Sequence, residues 1–384
     1  MIDFGWSRRG AAVPRWRIFL TLASIAVAMG ACGHGIFSSS SSSSSVTTAR
    51  SVYVTNFADA KVSELTNNAG VLSNPATLSG GKVNGPVGLT LTPPASTLPI
   101  ALYVANSADN KIHEFTINSI GDLTALATIA AGTAPQQIVT DPTGSFAYAI
   151  NSGGSISQYL IDTTTGELSA NSPSFITAGL TAPVNAVSSG SYLYVTDPSN
   201  GAGLALTFLL TNGLLSFASS VATGGTNPGP IATLSASGFT WVFVADATTG
   251  VVTVFQAQGS ALSLFGTIST GAAAAGLAVG TNTSGLTFLY VSNPSLNQVV
   301  TFSFNTTTGV LAAFAVTTGF KSPTGLAVDN PELETTLFVA NNTNGTVSTL
   351  TINATTGELS LINSYATESP ANSSSAPENI AVIP

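Results

Sequence analysis

From residue 50 onward the chain runs in short bursts of apolar and polar residues, most of them closed by Asn or Asp. The clearest burst is Tyr53-Val54-Thr55-Asn56, and it returns six times, at 103–106, 148–151, 194–197, 243–246, 290–293 and 338–341. β-Branched and aromatic residues in this arrangement predict a short strand with period-two burial, and the closing Asn or Asp starts a turn. A second strand is expected after each copy, over 62–66, 112–117, 156–161, 204–209, 252–255, 299–304 and 347–352. Glycine turns such as Asn68-Ala69-Gly70 and Thr164-Thr165-Gly166 lead into a third strand that opens on Leu, as at Leu123 and Leu168. A proline announces the fourth: Pro86, Pro135, Pro183, Pro228, Pro323 and Pro377, with Ala274 to Leu277 filling the remaining slot. Proline at the start of a strand gives up no ladder hydrogen bond. The small residues behind it suit a place where sheets converge.

The closing residues of the seven copies lie 45 to 50 residues apart. A fixed period of that size, filled by four strands, is the mark of a propeller blade. The expected fold is therefore all-β, a seven-bladed β-propeller with four-stranded blades over residues 50–384. The two ends fit together. The chain starts on the strand at 51–56 with no inner strand of its own, and it finishes on an inner strand at 377–383 with no followers. Closing the ring puts the last strand inside the first blade, which removes an open sheet edge.

Ahead of the repeats, residues 1–31 read as an export signal. Arg8, Arg9, Arg15 and Arg17 precede an apolar stretch from Ile18 to Met29 that is too short to span a bilayer. Met29-Gly30-Ala31-Cys32 resembles a bacterial lipobox, with Met29 where that pattern has Leu. The resemblance implies diacylation of Cys32, and Gly33 after it implies sorting to the outer membrane. Residues 32–49 then form a tether, with eight consecutive serines at 38–45.

Charge narrows the partners. Beyond residue 31 there are 5 Lys+Arg against 16 Asp+Glu, so phosphate backbones repel this body and nucleic acid is excluded as a partner. Cys32 is the only cysteine, which rules out an intramolecular disulfide.

The tetrapeptide copies, the Thr-Thr-Thr-Gly-Glu-Leu turn at 163–168 and the Asp141-Pro142-Thr143-Gly144 turn resemble the YVTN-repeat, lactonase-like seven-bladed propellers. That family includes 6-phosphogluconolactonases and a carboxymuconate-cyclising enzyme, beside exported members with no assigned reaction. A phosphorylated lactone calls for an arginine clamp, yet no Arg follows Arg50 and the lysines are only Lys61, Lys82, Lys111 and Lys321. Lys61 and Lys111 each follow an acid by two residues, Asp59 and Asp109, and are expected to form solvated surface pairs. His113 is the one histidine of the body and shows no partner in the sequence, so a structural role is expected. No catalytic residue can be carried over from the family, and no triad or zinc cluster can be assembled.

What polarity the inner strands offer lies at Gln136, Gln137, Asn185, Thr324, Glu378 and Asn379. With the turn residues Asp197 and Asp246 these form the expected ligand-binding rim of the central channel. No cofactor is expected, although such oxygens could take a divalent cation. The first reading is a monomeric binding module, lipid-anchored in the cell envelope, that meets a small molecule, a glycan or an envelope protein. The alternative is a lactonase-like hydrolase that works through acids in the channel.

Overall fold

The computed structural model describes residues 50–68, 70–78, 83–93, 100–198, 203–329, 336–368 and 377–383. They build seven four-stranded antiparallel sheets. The leader, Cys32 and the serine run lie outside the described residues.

Blade 1 takes β1 (Arg50–Asn56), β2 (Lys61–Asn68) and β3 (Val71–Leu78) from the start of the repeats and β28 (Pro377–Val382) from their end. Blade 2 runs outward through β4 (Pro86–Leu91), β5 (Ala101–Asn106), β6 (Lys111–Ile117) and β7 (Leu123–Ala130). Blade 3 holds β8 (Pro135–Thr140), β9 (Phe146–Asn151), β10 (Ser155–Ile161) and β11 (Leu168–Ile176). Blade 4 holds β12 (Asn185–Ser189), β13 (Tyr192–Asp197), β14 (Leu204–Thr211) and β15 (Leu214–Ala222). Blade 5 holds β16 (Pro228–Ala236), β17 (Phe239–Asp246), β18 (Val251–Gln258) and β19 (Ala261–Ser269). Blade 6 holds β20 (Gly276–Thr281), β21 (Thr287–Asn293), β22 (Gln298–Phe304) and β23 (Leu311–Thr318). Blade 7 holds β24 (Pro323–Asp329), β25 (Thr336–Asn341), β26 (Thr346–Ile352) and β27 (Leu359–Ala366).

The inner strands β4, β8, β12, β16, β20, β24 and β28 each touch the next around a closed circle. Closure is by β28, whose Ile380 pairs with Val54 and whose Asn379 pairs with Thr55. An ion pair adds to this seam: Lys61 Nζ lies 2.9 Å from Glu368 Oε1, just past the outer strand of blade 7. The inner strands approach so closely that glycine is required in places. A Cβ on Gly325 would stand 2.7 Å from the Glu378 carbonyl oxygen, and one on Gly88 would stand 2.6 Å from that of Gln136.

The structure gives three letters of the repeated tetrapeptide a bonding role. At the first position the tyrosine hydroxyl reaches the next blade's outer turn: Tyr53 donates to the Gly121 carbonyl at 2.6 Å, Tyr103 to Gly166 at 2.7 Å and Tyr148 to Gly213 at 3.1 Å. At the third position a hydroxyl reaches the next blade's inner strand: Thr55 donates to Val87 O, Thr196 to Gly229 O and Ser292 to Thr324 O. At the fourth, Asn56, Asn151 and Asn341 each donate to a serine of the following strand, Ser63, Ser157 and Ser348. The motif is a set of stitches within and between blades.

Two expectations are corrected. The tetrapeptide strands are buried on both faces, not in period two: all residues of β5, β21 and β25 are buried. The cause is that each blade is sandwiched. Val52 and Val54 pack toward blade 7 with Phe338 and Ala340, while Tyr53 packs toward blade 2 with Leu102 and Phe115. The expected surface pairs also differ. Lys61 pairs with Glu368, and Asp109 takes His113 instead, at 2.8 Å from Nε2. The histidine thus has a partner four residues back, at the other side of a turn.

The outermost strands carry no charged residue, a composition that leaves sheet edges open to pairing. Each of the seven outer strand pairs instead contains a register shift. Such bulges twist an edge away from a regular template.

Candidate functional site

In six of the seven inner strands the third residue counted from the proline slot lines the channel cavity. Around the third position the blades supply Asn379, Gly88, Gln137, Asn185, Pro230, Gly276 and Gly325, in order from blade 1 to blade 7. Three blades offer an amide and three offer only glycine, so the channel is polar on the side of blades 1, 3 and 4. Glu378, the second residue of β28, adds a carboxyl to that side.

A cavity of about 480 Å³ follows the channel and is lined by Gln137, Asn185, Glu378 and Asn379 together with aliphatic residues such as Leu91, Val139, Val187 and Leu277. That volume lies within the range of small-molecule sites, about 300–1,000 Å³. Among its described lining residues none is Arg, Lys or His, and Glu378 carries the single carboxyl. Burial raises the Glu378 carboxyl above the ordinary carboxylate range, and a hydrogen bond from Asn342 partly opposes this. The bond runs from Asn342 Nδ2 to Glu378 Oε1 at 3.3 Å. Gln137 Oε1 is buried against Gly88 without a hydrogen-bond partner among the described residues.

The remaining expected rim residues are engaged elsewhere. Gln136 donates through Nε2 to the Ala134 carbonyl at 3.0 Å. Thr324 donates to the Pro377 carbonyl at 2.8 Å, pinning the closing strand from blade 7. Asp197 and Asp246 are buried and do not line the cavity. Asp197 accepts the amides of Thr181 and Ala182, and Asp246 accepts those of Asn227, Thr248 and Thr249. Burial would raise the Asp246 carboxyl, yet those amides and the Thr248 hydroxyl outweigh it and hold the group well below the usual carboxylate range. Both residues occupy the Asn slot of the tetrapeptide and serve as turn anchors, which is why they point into the blade.

One member of the site escaped the sequence. Asn342 follows the blade 7 tetrapeptide and reaches Glu378 from a turn, so no inner-strand pattern marks it. Among the described residues no three His, Cys, Asp or Glu side chains gather as a metal would need. A cation here would rest on one carboxyl and neutral oxygens.

A family model described as Lactonase, 7-bladed beta-propeller, matches residues 32–178 and 262–374. No curated protein matches the chain. Among solved structures, the periplasmic gluconolactonase of Pseudomonas aeruginosa is 16% identical, with a TM-score of 0.66 over 87% of this chain and 99% of that one. A 6-phosphogluconolactonase candidate from Bacteroides fragilis is 17% identical, with a TM-score of 0.71 over 89% of this chain and 99% of that one. A protein from Lactobacillus plantarum gives 18%, 0.71, 88% and 99%. At these identities the likeness is one of fold.

Proposed function

Because the chain belongs to the family of seven-bladed β-propeller lactonases, we propose that it hydrolyses an uncharged lactone at the polar mouth of the channel, with Glu378 as general base. The observation that carries this reading is the position of Glu378 as the one carboxyl among the described lining residues of the cavity. In the reaction the Glu378 carboxylate takes a proton from water as the water oxygen attacks the lactone carbonyl carbon. The amide N–H groups of Asn185, Gln137 and Asn379 donate to the developing oxyanion. Collapse breaks the ring C–O bond, and the proton passes from Glu378 to the departing alkoxide. A carboxyl whose titration is moved toward neutrality by burial suits this exchange. Described lining residues with no cation among them favour a neutral substrate over a phosphorylated one.

The test is hydrolysis of glucono-δ-lactone and of its 6-phosphate by the purified protein and by Glu378→Gln. The neutral lactone is expected to turn over, and the variant to lose about 100-fold or more, the lower end of general-base contributions. Equal rates in the two proteins would end the proposal. A second reading, binding without turnover, is favoured by the described lining residues, none of which is a cation that could steady an oxyanion. It requires a sugar or lactone that raises the melting temperature while no hydrolysis occurs.

The address belongs to the proposal too. A leader ending in Met29-Gly30-Ala31-Cys32 supports export and diacylation of Cys32, with the propeller held as a monomer at the outer membrane. Incorporation of labelled fatty acid that disappears in Cys32→Ser, with release of the protein from the membrane fraction, is the expected result.

A further inference from the structure

We infer that Asn342 is the positioning residue of the channel mouth: from blade 7 it orients the Glu378 carboxylate, and it meets that carboxylate only when the ring is closed. The inference rests on the reading of Glu378 as the acting group. Its grounds are geometric. Three consecutive residues of β28 are each held by a different element. Thr324 of β24 donates to the Pro377 carbonyl at 2.8 Å, Asn342 donates to Glu378 Oε1 at 3.3 Å, and the Asn379 amide donates to Thr55 Oγ1 of β1 at 3.2 Å. The first and last bonds fix backbone. Only the middle bond reaches the carboxylate, and an ionised carboxylate accepts hydrogen bonds from a donor such as Nδ2 without offering any.

Asn342 is itself held in place, since its backbone amide donates to the Ser322 carbonyl at 3.0 Å. Of the described charged residues on elements around Glu378, Asp59 is half-buried in the β1–β2 turn, Lys321 is exposed ahead of β24, Asp329 is at that strand's far end near Asn67, and Lys61 is committed to Glu368. Burial and Asn342 are left as the influences on Glu378. Loss of the amide donor therefore removes the described contact that favours the charged form.

The experiment follows the Glu378 carboxyl by carbon NMR in the full-length protein, in Asn342→Ala and in Asn342→Ser, with lactone turnover recorded against pH in parallel. The midpoint of the Glu378 titration is expected to move up by about half to one pH unit in both variants, the equivalent of one ordinary hydrogen bond. The acidic limb of kcat/KM is expected to move with it, while the melting temperature stays close to that of the parent. An unmoved titration in a folded variant overturns the inference. A moved titration with no turnover in any protein upholds the positioning role and removes the hydrolase reading instead. The serine variant serves where the alanine variant fails to fold, and a common loss of stability without a titration shift marks Asn342 as merely structural.

Discussion

Glu114 offers the sharpest test of how the blades are joined. It lies in β6, 2% exposed, and its Oε2 accepts the Leu168 amide of the neighbouring blade at 2.8 Å. Burial raises its carboxyl to about 7, opposed by that amide and reinforced by Glu167. The folded chain thus holds a proton that the unfolded chain, titrating near 4.5, gives up. A group raised in this way contributes its full stability below about 4.5, and the contribution is lost as pH rises through about 7. The span corresponds to on the order of 3 kcal/mol at 1.36 kcal/mol per unit. Blade 3 already carries the remedy, because Gln158 occupies the same place and its Oε1 accepts the Leu215 amide at 2.7 Å. Glu114→Gln keeps the acceptor and removes the charge. At pH 8 the variant should exceed the parent by up to about 3 kcal/mol, or about 4 °C in melting temperature for a propeller of this size. At pH 4 the two should coincide. Melting followed by circular dichroism from pH 4 to 8.5 reads both ends. A variant that is less stable than the parent at pH 8, or a difference that does not grow with pH, would refute the reasoning.

Other outcomes follow from the same contacts. Glu64, raised to about 7 by burial and then by Asp122, should make the double variant Glu64→Gln, Glu114→Gln flatter in its pH dependence than either single change. Tyr103→Phe loses the hydroxyl that reaches Gly166 and should cost about 1 kcal/mol, a typical hydrogen bond, as read by urea unfolding. Deleting residues 377–384 strips β1 of its inner partner and should give a protein that elutes as aggregate instead of a folded monomer, since an unpaired edge strand is exposed. Gly325→Ala should destabilise strongly, because its Cβ would meet the backbone of β28.

The fold was legible because its joints are written in the repeat. The tetrapeptide spacing, the prolines and the missing inner strand at residue 50 were enough to place all seven sheets and the closing role of β28. What the letters do was less legible. Tyr103 and Gly166 are 63 residues apart, and nothing local tells that a hydroxyl joins them. Burial on both faces also escaped, since Val and Tyr alternate in a way that looks half-buried until neighbouring blades cover both sides. At the site, counting from the prolines brought Gln137, Asn185, Glu378 and Asn379 to one cavity. The count failed at Gln136 and Thr324, which spend their donors on the Ala134 and Pro377 carbonyls. It could not reach Asn342, which arrives from a turn.

The repeat also separates what the ring needs from what the channel does. Seven equivalent positions recur near the start of the inner strands, and glycine satisfies three of them, so a side chain there is not needed to close the circle. Gln137 and Asn185 are departures from the pattern, half-buried and facing the cavity. Truncating them should therefore touch binding far more than stability. Gln137→Ala removes no protein hydrogen bond from Oε1, and Asn185→Ala removes one local acceptor of the Ala186 amide, worth about 1 kcal/mol. A double variant should melt within a few degrees of the parent and yet lose at least about tenfold in affinity for a neutral lactone by calorimetry, the equivalent of one to two hydrogen bonds. Gly325→Ala should show the reverse order, with lost stability preceding any change in ligand contacts. If the double variant instead unfolds while binding per folded molecule is kept, these amides belong to the scaffold, and the ligand must be sought outside the channel.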